Sequence, residues 1–107
     1  MSELGGALPP YAPTQLDARV ELPQHVVHRS FAAETVVLNL QTGHYHGLNH
    51  SAGRMLAALE RCGSVRAAAV EVSAELEQPL EQIERDLCEF CTRLSERGLL
   101  EVDDGQG

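Results

Sequence analysis

The sequence is 107 residues long, with a formal net charge of −8, 43% apolar residues and no tryptophan. That length fits one small domain burying roughly two thirds of its unfolded surface, too little for a large enzyme scaffold. No apolar run nears the ~20 residues of a membrane span and no basic start leads into an apolar signal core, so a cytoplasmic location is expected.

Three cysteines, Cys62, Cys88 and Cys91, are an odd number in a chain with no export signal, which predicts reduced thiols rather than a disulfide framework. Charge is unevenly placed. Residues 1–70 balance five acids against five arginines, whereas residues 71–107 set eleven acids against Arg85, Arg93 and Arg97. Such a field repels a polyanion, the opposite of the basic footprint of a nucleic-acid binder. Nucleic acid and membrane are therefore not expected partners.

Residues 1–18, with "LGGALPPYAPT", read as a flexible Pro/Gly-rich tail, and residues 103–107 as a short C-terminal one. Between them, 19–102 reads as a single domain. "HVVHRSF" is rich in β-branched and ring side chains. "ETVVLNL" alternates, with Val36, Leu38 and Leu40 on one face and Thr35, Val37 and Asn39 on the other, the pattern of a half-buried strand. "QTG" supplies a hairpin turn, with Gly43 free to take positive φ, and "HYHGLN" returns as a third strand. On it His44, His46 and Leu48 share one face, and Tyr45 and Gly47 the other.

Helices fill the remainder. Asn49 or Ser51 can cap a helix carrying Ala52, Met55, Leu56 and Leu59 at three- and four-residue spacing, and Gly63 suits a left-handed stop. Ser64 caps a second, alanine-rich helix ending near Glu77. Pro79 opens a third with Leu80, Ile83, Leu87, Phe90, Cys91 and Leu94 on one side, ended by Gly98, after which "LLEV" runs on extended. The expected fold class is α+β: a winged helix-turn-helix-like arrangement in which a three-stranded antiparallel sheet is followed by three helices.

The order "VVHRSF", "ETVVLNLQTGHYHGLN", "SAGRMLAALERCGSV" and a long helix ending "LSERGLLEV" resembles the PqqD-like peptide chaperones, also called precursor-peptide recognition elements, over roughly residues 20–102. "TGHYHGLN" is similar to that family's hairpin, in which a Thr-Gly turn precedes a tyrosine and a Leu-Asn pair. The family often has a bulky aromatic where this chain has His46, and an Ile-Trp pair where it has Met55 and Leu56, departures that bear on pocket shape and partner identity. The resemblance implies a non-catalytic adaptor that binds the leader of a ribosomally made precursor peptide beside the third strand and against the third helix. The adaptor would present the leader to a leader peptidase or other modifying enzyme, with no cofactor. The free-standing size resembles the recognition subunit of lasso-peptide systems first, and the chaperone of quinone-cofactor maturation second.

Backbone physics allows the same use, since an uncovered edge at 44–48 offers unpaired N–H and C=O groups to an extended guest. The expected leader-contacting residues are His44, Tyr45, His46, Gly47, Leu48, Ile83, Asp86, Leu87, Phe90 and Arg93. Ile83, Leu87 and Phe90 also have a plain core reading. The same edge makes monomer and homodimer both open.

Other functions compete. A winged-helix DNA-binding regulator is the first alternative, opposed by Glu81, Glu84, Asp86 and Glu89 on the would-be recognition helix. A small zinc domain is the second: Cys88 and Cys91 have CxxC spacing and His44 and His46 share a strand face, but CxxC within a helix lacks the turn that gathers two thiolates on one ion. There is no phosphate loop, HExxH or GxSxG.

Overall fold

A computed structural model describes residues 14–103. Its elements run β1 (Arg19–Glu21), β2 (Val26–Ser30), β3 (Thr35–Asn39), β4 (Tyr45–Leu48), α1 (His50–Cys62), α2 (Val65–Leu76), α3 (Leu80–Glu96) and β5 (Glu101–Asp103). The expected three-stranded antiparallel sheet and three helices are all present. β2, β3 and β4 form a meander in that order, with Val37 opposite both His28 and His46.

The hairpin between β3 and β4 follows from its turn residues. Gly43 takes φ 79°, which costs glycine nothing. The Asn39 side chain accepts from the Gln41 and Thr42 N–H groups at 2.8 and 3.3 Å. A buried asparagine is thereby satisfied locally, and the register of β4 against β3 is fixed.

Helix boundaries obey their caps. Asn49 accepts from the Ala52 N–H at 2.9 Å and Ser64 from the Ala67 N–H at 3.2 Å, each satisfying one orphan donor of a first turn. Gly63, at φ 68°, ends α1 and lets Ser64 start α2 at once. The three helices bury Leu56, Leu59, Val65, Ala68, Ala69, Val72, Ile83, Leu87, Cys91 and Leu94 against Val26 and Val37 of the sheet. Ion pairs Arg54–Glu75 and Arg61–Glu71 tie α1 to α2 at its rim.

Two features depart from the sequence reading, and a third settles what it left open. First, a two-stranded ribbon, β1 with β5, joins the two ends of the described chain, Val20 lying opposite Val102. Second, residues 14–18 of the expected tail carry contacts: the Thr14 N–H donates to Thr92 Oγ1 on α3 at 2.9 Å, and Ala18 is fully buried. The rest of that tail, 1–13, and residues 104–107 of the C-terminal one lie outside the described residues. Third, the inner face of β3 is Thr35, Val37 and Asn39, while the more apolar set points away from the helices. The outer face of the sheet therefore shows Val27, Leu38 and Tyr45 in one cross-strand row, with exposed Phe31 and Leu40 at its ends.

Candidate functional site

β4 is an edge strand: β3 pairs with one side of it, and among the described residues no strand pairs with the other. The ladder's phase says which groups are unused. The Asn39 N–H donates to the His44 carbonyl at 2.9 Å. Antiparallel bonding recurs at every second residue, so His46 and Leu48 also face β3. The N–H and C=O of Tyr45 and Gly47 point outward, and neither residue has a hydrogen bond to any other described group outside the ladder.

The side chains divide the same way. His46 and Leu48 lie half-buried on the inner face, Leu48 against the core; Tyr45 is 74% exposed on the outer face, and Gly47 sits beside it. His44 is exposed in the turn, its N–H bonded to Thr42 Oγ1. A Cβ on Gly47 would stand 2.7 Å from Glu34 Oε2. The glycine thus leaves room for that carboxylate to lie over the edge.

Two adjoining hollows open between the first turns of α1 and α3, the first reaching Asn49 just after β4; none of residues 44–48 lines either. One, about 220 Å³, is lined by Asn49, Ser51, Ala52, Met55, Asp86, Glu89, Phe90 and Arg93. The next, about 260 Å³, shares Ser51, Met55 and Asp86 and adds Leu76, Gln78, Gln82 and Ile83. Together they make a groove with an apolar floor of Met55, Ile83 and Phe90 and a charged wall on α3. Four expected contact residues of α3 (Ile83, Asp86, Phe90 and Arg93) line it. Leu87 does not: it is fully buried, lines neither hollow and belongs to the core. Sequence reading missed the other lining residues: Asn49, Ser51, Ala52 and Met55 of α1's start, Leu76 and Gln78 at the end of α2, and Gln82 and Glu89 of α3. The helical phase of Gln82 and Glu89, four before and three after Asp86, was the available signal.

A larger hollow of about 760 Å³ lies between the β1–β5 ribbon and the end of α1; four of its nine lining residues are acids, and none is an expected site residue. Among the described residues no three His, Cys, Asp or Glu gather as a metal site. Cys91 is buried within the bundle, and burial pushes its thiol up to about 12, with Cys88 adding to the effect. Burial, then nearby Glu84, also raises Cys88. Neither thiol is poised as a thiolate.

A family model described as coenzyme PQQ synthesis protein D (PqqD) matches residues 34–100, the span from β3 through α3. The chain belongs to the PqqD family. Among solved structures, this family member is similar to TbiB1, solved in complex with the TbiA(beta) leader peptide. The two share 32% identity and a TM-score of 0.69 over 76% of this chain and 94% of that one. It also shares its fold with a lasso peptide synthetase B1 complexed with the leader peptide, at 24% identity and TM-score 0.68 over 78% of this chain and 98% of that one. No curated protein matches the chain. No helix among the described residues is long and apolar enough to cross a membrane.

Proposed function

We propose that this PqqD-family chain is a non-catalytic, cytoplasmic adaptor of the lasso-peptide type. It takes up the leader of a ribosomally synthesised precursor as an added strand on β4 and presents it to a leader peptidase or other modifying enzyme. The observation that carries the proposal is the unpaired outer edge of β4, followed directly by Asn49, which lines the groove between α1 and α3. Main-chain bonds to Tyr45 and Gly47 supply affinity with little sequence preference, and the groove selects among leaders by the side chains it accepts. TbiB1, similar over most of both chains, holds a leader peptide in its solved complex, which supports the same role here.

A winged-helix regulator finds no support in the charge of α3. Its side chains outside the core include Glu81, Glu84, Asp86, Glu89 and Glu96 against Arg85 and Arg93, a surface a phosphate backbone avoids.

The test is a titration by fluorescence anisotropy of two labelled probes. One is the synthetic leader of the precursor peptide encoded beside the gene; the other is a random-sequence DNA duplex. Micromolar or tighter binding of the leader, weakening modestly with salt, is the expected result. Binding of the duplex and not of the leader would overturn the proposal.

A further inference from the structure

Asp86 has no counter-charge within pairing range on its own helix: Arg93, which lines the same hollow, stands two turns away, about 10 Å along the axis. Its neighbours at spacings of three and four are Gln82, Ile83, Glu89 and Phe90; none is a cation and one is a like charge, an arrangement that weakens rather than supports a helix. Arg85 is adjacent in sequence and faces elsewhere. Four acids of the fold are paired, Asp17 with Arg66, Glu60 with His28, Glu71 with Arg61 and Glu75 with Arg54, while most of the rest, such as Glu81 and Glu89, are exposed to water. Asp86 has no such partner among the described residues, yet it is half-buried and is the only charged residue to line both hollows of the groove.

The surroundings strengthen whatever Asp86 does. Met55, Ile83 and Phe90 flank it with apolar surface, and partial exclusion of water raises the effect of one charge on another. A second carboxylate, Glu34, lies over Gly47 on the outer side of the same edge. A strand added to β4 alternates its side chains between the two faces. It therefore meets an acid on either side, within the field of a chain of net charge −8.

We infer that the leader recognised by this chain carries a lysine or arginine that docks on Asp86, beside an apolar residue seated over Met55 and Phe90. The inference rests on the proposed strand-addition role and specifies its ligand. The aliphatic stem of either side chain covers the apolar floor while its cation reaches the carboxylate; arginine adds bidentate geometry.

Random-sequence peptides displayed on phage, selected in parallel against the full chain and its Asp86→Asn, Asp86→Lys and Glu81→Gln variants, decide the matter. Peptides enriched on the natural chain and on Glu81→Gln are expected to hold Lys or Arg at a fixed distance from an apolar residue. That preference disappears on Asp86→Asn and turns to Asp or Glu on Asp86→Lys. Individual basic peptides lose about tenfold in affinity on Asp86→Asn. Binders with no basic preference, or a preference indifferent to Asp86, would overturn the inference and leave the adaptor role standing. Failure to enrich any peptide would overturn both.

Discussion

Replacing Gly47 with proline is expected to weaken leader binding by more than tenfold while leaving the fold almost as stable as before. The Gly47 N–H points away from β3 and bonds nothing in the described chain, so proline removes no ladder bond; edge strands tolerate proline for this reason. The glycine's backbone is not in the left-handed region. The added Cβ displaces only the far end of the Glu34 side chain. An incoming strand, by contrast, loses a donor and leaves its own carbonyl unmatched in a partly dry interface. The lost bond and stranded acceptor together cost about 2–4 kcal/mol, a loss of affinity of roughly 30- to 1000-fold. His46→Pro is the informative opposite, because the His46 N–H serves β3: it should disrupt the sheet itself. Calorimetric titration with thermal unfolding separates the two effects. Unchanged leader affinity in Gly47→Pro would show that the guest does not pair there.

The largest expected effect on stability is at Gly53. In an ordinary exposed helix, Gly→Ala gains about 1 kcal/mol from propensity. Here the first turns of α1 press against β3 so closely that an alanine Cβ would lie 2.4 Å from Thr35 Oγ1 and 3.0 Å from its Cβ. Thr35 is buried and its hydroxyl is 3.1 Å from Ser30 Oγ, so it has little freedom to retreat. Gly53→Ala is therefore expected to destabilise by about 1–3 kcal/mol, the range for overpacking. Thr35→Ala made in the same chain should recover part of the loss, because the two residues meet directly. Denaturant unfolding of the four chains of that cycle is the measurement, and a stabilised single variant would mean that the helix stands off the sheet. The site depends on this contact, since α1's first turn forms one wall of the groove.

Much of this architecture was written in local signals. Asn49, Gly63, Ser64 and Pro79 mark helix ends through capping chemistry that needs no distant partner, and the structure keeps each at a boundary. The Thr-Gly turn set the third strand for the same reason. What stayed hidden depends on long range. β1 is three residues long and pairs with a strand more than eighty residues away; nothing in "RVE" announces that ribbon, nor the bond from Thr14 to Thr92. The alternation of β3 showed two faces without saying which was inner. Buried Thr35 and Asn39 are accommodated because Ser30 and the turn amides satisfy them, so counting apolar residues alone points the wrong way.

The candidate site was legible to a similar depth. Strand 44–48 and the Asp86, Phe90 and Arg93 side of α3 were readable from the pleat and the helical period. The wall contributed by α1 was not, because it depends on how that helix crosses the sheet. Leu87 lies on the same stripe as Ile83 and Phe90, and only packing separates the residue that reaches the groove from the one sealed beneath it.

Amide hydrogen exchange, followed residue by residue with and without saturating leader, tests the edge at β4 most directly. In the free chain the amides of His46 and Leu48 should be protected by β3 while those of Tyr45 and Gly47 exchange quickly. Added leader should then slow Tyr45 and Gly47 by at least about tenfold, as new backbone bonds close over them. Slow exchange at Tyr45 and Gly47 before any leader is added, or no change there at saturation, would contradict an open edge that a guest strand completes.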